Sequence, residues 1–281
     1  MTVGAPRAAG APVRLALAAM GTRFEVVLHG ISPAALRAAG ESALAEVEAC
    51  HHRFTRFAPD SLVSFLQRVA ADRAVRLDTD TFLLFEDALA VHRASAGAFD
   101  IAIAPLMDGV APPARGTDAI ELDRASRTLR FTAPGVRLDL GGIAKGHALD
   151  LAARSLRENG VQSALLHGGT SSVVAIGTPP DADSWLVALA QAPLAAPVRL
   201  RDAALTVSTT RGGRLGEQTG APAHIMDPRT GRPVDRARAV AVVGPCARLA
   251  DAWATAIVVL GSRPAALGPE WLTDLMETES A

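Results

Sequence analysis

RLDLGGIAKGHALD, residues Arg137–Asp150, runs from a short apolar stretch through a pair of glycines into a helix. Its simplest interpretation is a strand, a tight turn at Gly141 and Gly142, and a helix. Glycine can adopt positive φ and lets a ligand approach the backbone, and the N–H groups at a helix start suit an anion. Lys145 would add a mobile positive charge there. The stretch therefore predicts an anion-binding turn.

The turn matches neither of two common phosphate-binding fingerprints. A P-loop needs Gly-Lys followed by Ser or Thr, and the dinucleotide fingerprint needs Gly-x-Gly-x-x-Gly. Taken alone, the stretch is equally compatible with a glycine-rich connection that carries a surface lysine.

Composition indicates a globular chain. Its 281 residues are 49% hydrophobic and 20% charged, which suffices for a sizeable core in one large domain or two small ones. The net charge of -1 gives no reason to expect nucleic acid or an anionic membrane as a partner. Cys50 and Cys246 are far apart and support neither a disulfide framework nor a zinc site.

The N-terminus lacks the continuous apolar region of a signal peptide and has no cysteine for a lipid anchor, so residues 1–12 are expected to form a flexible leader. The longest apolar run, Ala252–Leu260, is shorter than the roughly 20 residues of a membrane span. As it stands, the sequence predicts a cytoplasmic protein, or a periplasmic one if a leader is missing. Because no linker or long repeat divides the chain, we expect one domain.

Helical and strand patterns are mixed without strict alternation, which favours an α+β fold over a doubly wound parallel one. Helices are predicted at Pro33–Cys50, after Pro59-Asp60-Ser61, and at Asp78–Ser95, His147–Asn159 and Asp251–Gly261. Strands are predicted within Val13–Leu28, Asp100–Ala104, Ile120–Phe131, Ala164–Gly177, Trp185–Ala190, Ala204–Ser208 and Ala239–Val243.

Asp251 and Thr255 are four residues apart on a predicted helix, so their side chains emerge on one face about one turn apart. A carboxylate and a hydroxyl are hard oxygen donors that suit Mg²⁺, which takes one or two protein oxygens together with phosphate and water. The alternative is structural. Thr255 would then bond back to a carbonyl group, and Asp251 would sit at the helix start opposite the dipole.

His224 and Asp227 flank a turn rich in Pro and Gly, HIMDPRTGRP. Histidine titrates near neutral pH, so His224 could take a proton from an attacking hydroxyl. Asp227 is the rival base, and a hydrogen-bonded loop histidine is the structural alternative. The histidines His29, His51, His52 and His92 lack comparable surroundings and are interpreted as surface or packing residues.

Seven blocks in order give the chain a close resemblance to the ApbE family, the FAD:protein FMN transferases, from about Met20 to Gly261. The blocks are MGTRFEV, FTRFAPDSLVSFL, GAFDIAIAPL, LDLGGIAKGHALD, LHGGTSSVVAIG, HIMDPRTGRPV and ADAWATAIVVLG. The resemblance implies an α+β domain over residues 13–281, with a mixed, largely antiparallel sheet, packed helices and a central FAD cleft.

The resemblance also implies a reaction and a set of site residues. Such a transferase cleaves the pyrophosphate of FAD with the help of Mg²⁺, attaches FMN to a Thr or Ser hydroxyl of an acceptor flavoprotein and releases AMP. Asp251 and Thr255 resemble the metal ligands, with the carbonyl group of Ala144 as a third, and His224 resembles the general base. The positions that line the FAD site are Met20, Phe57, Ala98, Phe99, Asp100, Lys145, Ala148 and Arg229.

The chain departs from the family pattern at a few positions. Phe57 stands where the family usually has Tyr, and Thr170 where it commonly has Asp. Two other functions therefore stay open at this point, a Mg²⁺-dependent FAD pyrophosphatase and a non-catalytic FAD-binding protein. Family acceptors resemble Asp-Gly-x-Ser/Thr-Gly-Ala/Ser-Thr, and this chain contains no such run, so self-flavinylation is not expected.

Overall fold

A seven-stranded sheet forms the centre of the computed structural model, which describes residues 11–30, 32–110, 116–188, 197–210 and 225–278. In spatial order its strands are β1 Val13–Ala19, β2 Thr22–Leu28, β6 Ala164–Gly168, β7 Ser172–Ile176, β10 Ala204–Thr209, β13 Ala237–Gly244 and β14 Leu272–Thr278. All neighbouring strands run antiparallel. The predicted α+β class is confirmed.

Helices pack on one face of this sheet, and shorter elements surround it. The helices are α1 Pro33–Phe54, α2 Leu62–Val69, α3 Thr79–Ala94, α4 Ala104–Met107, α5 Ala144–Glu158 and α6 Ala247–Leu260. The short strands are β3 Val75–Arg76, β4 Ile120–Asp123, β5 Thr128–Phe131, β8 Trp185–Val187, β9 Val198–Leu200, β11 Met226–Asp227 and β12 Arg232–Pro233. Within the described ranges, no helix has the length and apolar character to cross a bilayer.

The sheet is buried on both faces around β7. Val174 belongs to the main core with α1, α5 and α6, whereas its neighbour Val173 belongs to a smaller core on the opposite face. Successive strand residues point to opposite faces, so a continuous apolar run such as SVVAI is what a strand covered on both sides requires. The β8–β9 pair covers the second face through Trp185 and Leu200.

Several helix starts were predicted correctly from the capping residues in the sequence. Ser32, Ser61 and Asp78 are N-caps, and the side chain of each accepts a hydrogen bond from the N–H group three residues later. The hairpins predicted around Met20-Gly21 and within Ile120–Phe131 are also confirmed.

Two predicted strands are wrong. In Asp100–Ala104, the N–H groups of Ile101 and Ala102 donate to the Thr117 hydroxyl at 3.1 and 3.2 Å, and no strand partner is present among the described residues. The apolar run before the glycine pair is an extended loop, because the Leu138 N–H donates to a side chain, Gln67 Oε1, at 2.7 Å.

Two further differences concern the start of one helix and the C-terminal end of the chain's described part. The helix predicted from His147 begins one turn earlier, at Ala144, and strand β14 follows the last predicted element. Residues 189–190 of the strand predicted at Trp185–Ala190 lie outside the described ranges, as do residues 1–10. The division into a leader over 1–12 and a domain over 13–281 stays a prediction.

Helices α5 and α6 are joined by two reciprocal contacts at their N-terminal ends. Asp150 on α5 accepts the N–H groups of Ala247 and Arg248 at 2.9 Å each, which caps α6. Asp251 on α6 accepts the Gly146 N–H, in the first turn of α5, at 3.1 Å. A Cβ atom at Gly146 would overlap the Ala247 carbonyl group, so only glycine permits this approach.

We expect Gly146→Ala to lower the free energy of unfolding by at least about 2 kcal/mol, because the added methyl group meets backbone that cannot move without separating α5 from α6. Gly40→Ala in α1 is the matched control, since its Cβ would meet only the side chains of Leu15, Leu28 and Val26. Urea unfolding measures both variants. Equal losses would show that the α5–α6 contact is not the constraint.

Candidate functional site

Two adjoining cavities lie where α5 begins. Cavity 1 has a volume of about 330 Å³ and cavity 2 about 290 Å³, and both are lined by Asp139, Gly141 and Lys145. Cavity 1 is also lined by Ala98, Phe99, Asp100, Ile103, Met107, Gly142, Ser171, Val207, Ser208, Thr209, Ile225, Met226, Pro228, Asp251 and Thr255. Cavity 2 is also lined by Met20, Gly21, Cys50, His51, Phe54, Thr55, Arg56, Phe57, Leu140 and Ala144.

The glycine pair serves close packing at this site. Neither Gly141 nor Gly142 has a positive φ, so that part of the expectation is wrong. A Cβ atom on Gly142 would lie 3.2 Å from both the Phe99 ring and the Thr255 hydroxyl. Glycine at this position therefore lets the loop pass between two side chains that line cavity 1.

The backbone N–H groups of the turn are largely used within the chain. Gly141 donates to Asp139 Oδ1 at 2.8 Å, and Ala144 donates to the Leu140 carbonyl at 2.8 Å. Gly146 donates to Asp251, so the anion at this helix start is a carboxylate of the chain itself. Among the described residues, Lys145 is the cation that lines both cavities.

Asp251 is a carboxylate held in the protein interior, with 2% of its surface exposed, yet it lines cavity 1. Lys145 Nζ lies 3.8 Å from Asp251 Oδ2 and donates to the Gly141 carbonyl at 3.2 Å. Burial raises the pKa of Asp251 above its usual range, and the nearby ammonium of Lys145 opposes that rise. The site thus contains a buried carboxylate that its neighbours stabilise only in part.

Thr255 lies one turn along α6 from Asp251, as the spacing predicts. Its hydroxyl donates to the Asp251 carbonyl at 3.1 Å and lies 3.5 Å from Ser208 Oγ. The back-bond leaves the lone pairs of Thr255 Oγ1 as acceptors, so the alternative structural role and a role as a ligand are compatible.

The donors around Asp251 fit a magnesium ion better than a softer metal. Among the described residues no group of three or more His, Cys, Asp and Glu side chains is arranged to hold a metal. One carboxylate and one hydroxyl facing a cavity leave room for phosphate and water ligands, which is the coordination Mg²⁺ prefers. Ala144, the expected third ligand, lines cavity 2, whereas Asp251 and Thr255 line cavity 1.

The segment Ala98–Asp100 forms one wall of cavity 1. Asp100 Oδ1 accepts the Thr117 hydroxyl and the Ala102 N–H, each at 2.6 Å. His92 Nδ1 lies 2.8 Å from the Phe99 carbonyl oxygen, which ties the same segment to α3. Asp100 therefore fixes the loop in addition to facing the cavity.

Cavity 2 contains the two apolar side chains predicted for ring packing, Met20 and Phe57. Phe57 is 82% exposed, and the guanidinium of Arg56 lies 4.6 Å from its ring centroid. Arg56 also forms an ion pair of 3.1 Å with Asp139, which lies on the boundary of the two cavities. This arrangement places an exposed aromatic face at the cavity mouth.

Ala148, Arg229 and Asp227 line neither cavity. Ala148 is fully buried inside α5, where its side chain packs in the core. Both oxygens of Asp227 accept hydrogen bonds from the Arg229 guanidinium, at 2.9 and 2.8 Å. This bidentate pair holds the pKa of Asp227 below its usual range, which makes Asp227 a weak base.

His224 lies outside the described residues. The described chain resumes at Ile225, and both Ile225 and Met226 line cavity 1.

The residues of the site that were missed from the sequence include Arg56, Asp139 and His51, all of which line cavity 2. Arg56 and Asp139 lie within the quoted blocks, beside residues that were singled out, but their pairing joins positions 83 residues apart and no local spacing reveals it. His51, interpreted as a surface or packing residue, lines cavity 2 and accepts the Met20 N–H. Cys50 also lines that cavity, but burial raises its thiol pKa to about 12, which leaves it unreactive.

The antiparallel α+β fold and the cleft lie largely within the part of the chain that one family model matches. The family model described as "ApbE family" matches residues 20–277. The chain belongs to the ApbE family.

Relatives within the family are named for one activity. The chain is 30% identical over 265 residues to the FAD:protein FMN transferase of Rhodobacter capsulatus, covering 86% of this chain and 50% of that protein. It is 33% identical over 156 residues to the FAD:protein FMN transferase of Chlamydia trachomatis, covering 54% of this chain and 48% of that protein. The chain thus spans about half the length of these two relatives.

A solved structure, a variant of Flavin Transferase ApbE from Vibrio cholerae, superposes with a TM-score of 0.77 at 22% identity, over 90% of this chain and 88% of that one. This likeness shows that the fold is the same.

We expect Asp251→Asn to be more stable than the parent protein at pH 7 when no divalent cation is present. The amide removes a buried charge and keeps an oxygen that accepts the Gly146 N–H. Because the folded-state pKa of Asp251 is raised above the unfolded value of about 3.9, the parent loses stability as pH rises from about 4 through that pKa. The advantage of the variant should therefore vanish near pH 4.

Urea unfolding at pH 4 and pH 7 measures this difference. A variant that is less stable than the parent at pH 7 would show that the Asp251 charge is a net structural anchor.

Proposed function

We propose that this protein is a Mg²⁺-dependent FAD:protein FMN transferase. It cleaves the pyrophosphate of FAD, attaches FMN through a phosphoester to a Thr or Ser of an acceptor flavoprotein and releases AMP. The observation that carries the proposal is that Asp251, Thr255 and Lys145 all line cavity 1. Family membership and the names of the relatives support it.

Asp251 and Thr255 would hold the metal, with the Ala144 carbonyl as a third ligand. A bound Mg²⁺ would neutralise charge on the phosphate oxygens and on the departing AMP. Lys145 lies 3.8 Å from Asp251 and balances its buried charge only in part. A bound cation would supply the remaining stabilisation, which supports this assignment.

Lys145 would bind the pyrophosphate of FAD, since its ammonium lies on the boundary between the two cavities. FAD has two ring systems joined by that pyrophosphate, and two cavities that meet at a cation suit such a ligand. Met20 and Phe57 would pack against one ring system in cavity 2.

In the transfer step, the acceptor hydroxyl oxygen attacks the phosphorus on the flavin side. A new P–O bond forms, the anhydride P–O bond breaks, AMP leaves with the bridging oxygen, and the hydroxyl proton passes to a base. We assign the base to His224. The bidentate pair that Asp227 makes with Arg229 supports this choice, because it lowers the basicity of the rival.

We expect the purified protein incubated with FAD, Mg²⁺ and an acceptor carrying an Asp-Gly-x-Thr-Gly-Ala-Thr segment to release AMP and form a flavin-bound acceptor. Asp251→Asn should reduce transfer by about 100-fold or more, because it removes charge from the metal ligand set. Asp72→Asn, an exposed carboxylate outside both cavities, is the control.

The products separate the alternative functions. AMP and free FMN without labelled acceptor would identify a pyrophosphatase. FAD binding with no AMP would identify a non-catalytic flavin-binding protein. Undiminished transfer by Asp251→Asn would refute the metal assignment.

For the base, we expect His224→Asn to retain FAD binding while transfer falls about 10²- to 10⁴-fold, the range of general-base catalysis. Asp227→Asn should keep transfer within a few fold, since Asp227 acts as a partner of Arg229. FAD fluorescence and acceptor labelling measure the two effects. The reverse result for the two variants would transfer the role to Asp227.

A further inference from the structure

Met20 occupies an unfavourable backbone conformation at the edge of cavity 2. It has φ of 50° and the following Gly21 has φ of 70°, in the two-residue loop that joins β1 to β2. A loop with both residues left-handed favours Asn or Gly at its first position, because a larger side chain meets its own backbone there. Methionine is therefore an unusual residue for this left-handed position, and its conformation must be maintained by contacts with the surrounding structure.

The Met20 N–H also lacks a partner within the hairpin. The ladder between β1 and β2 ends with the pair Ala19 and Thr22, so it does not extend to the loop residues. The N–H instead donates to His51 Nδ1 at 3.3 Å. The His51 ring must then carry its own proton on Nε2 for this bond to form.

His51 comes from a different element, the last turn of α1, 31 residues along the chain. Both Met20 and His51 line cavity 2. One hydrogen bond therefore connects the end of α1 to the left-handed loop, at the point where both residues face the cavity.

We propose that His51 is a positioning residue for FAD. Its Nδ1 holds the Met20 main chain in the left-handed conformation, so that the methionine side chain is fixed as an apolar wall of cavity 2. Strained conformations of this kind occur at ligand clamps, where the surrounding structure maintains them. The inference rests on the proposed function, because it takes FAD as the occupant of the cavity.

The test compares variants that keep or remove the acceptor atom. In His51→Leu no acceptor remains, and the KM and Kd for FAD should rise about five- to tenfold, the effect of losing one hydrogen bond, while kcat stays within twofold. His51→Asn should restore both constants to within twofold of the parent, because its side-chain oxygen can take the place of Nδ1. His52→Leu is the control, since the neighbouring His52 is exposed and lines neither cavity.

A double variant shows whether His51 acts through Met20. Glycine adopts the left-handed conformation without strain and has no side chain to place. In a Met20→Gly background, the change His51→Leu should therefore weaken FAD binding by less than twofold. A full five- to tenfold loss in that background would overturn the inference, because His51 would then act independently of Met20.

The failures of the two proposals are distinguishable. If the parent protein does not bind FAD, the proposed function fails and the inference fails with it. If the parent binds FAD and His51→Leu binds it equally well, only the positioning role is refuted. Equal weakening by His51→Leu and His51→Asn would also refute that role, because the ring would then matter through its packing.

Discussion

The reciprocal capping of α5 and α6 is the contact on which the site depends. Asp150 caps α6, Asp251 accepts the first-turn N–H of Gly146 on α5, and the absence of a side chain at Gly146 lets the two helices approach. Each helix thus supplies the anion that the N-terminus of the other requires. The same geometry sets Lys145 beside Asp251, so the contact that orders the core also assembles the charged part of cavity 1.

The buried Asp251 carboxylate lowers the stability of the fold and at the same time favours the binding of a cation. Asp251 lies on a helix whose neighbouring side chains are apolar and buried, and water is largely excluded from it. A carboxylate in such surroundings destabilises the fold unless it is paired, yet the same desolvation strengthens its attraction for a cation. Lys145, at 3.8 Å, reduces that cost only in part. The fold therefore retains a charge whose main benefit lies in ligand binding.

Elements whose signals lie within a few residues of one another were predicted correctly from the sequence. The predictions were wrong where the backbone hydrogen bonds are made with residues distant in the chain. Ser61 and Asp78 mark helix starts because the cap and its N–H partner are three residues apart. Asp100–Ala104 has the alternation of a strand, but its N–H groups are taken by Thr117, which no pattern near position 100 reveals. For the same reason His51 was not recognised, since its partner lies 31 residues away. The α6 residues of the site were found because one helical turn relates them.

The walls of the cleft outside the α5–α6 pair include loops that are tied to neighbouring segments by individual hydrogen bonds. The loop before the glycine pair is tied to its neighbours by the Leu138 N–H to Gln67 at 2.7 Å and the Asp139 N–H to the Ile101 carbonyl at 2.8 Å. Such bonds contribute about 1 kcal/mol each to stability, a small part of the total. A displaced wall, however, changes the shape of the cavity directly. Changes at these tethers should therefore reduce ligand affinity more than they reduce stability. Changes at the helix pair should reduce both, because the contacts that hold α5 against α6 also place Asp251 and Lys145 at cavity 1.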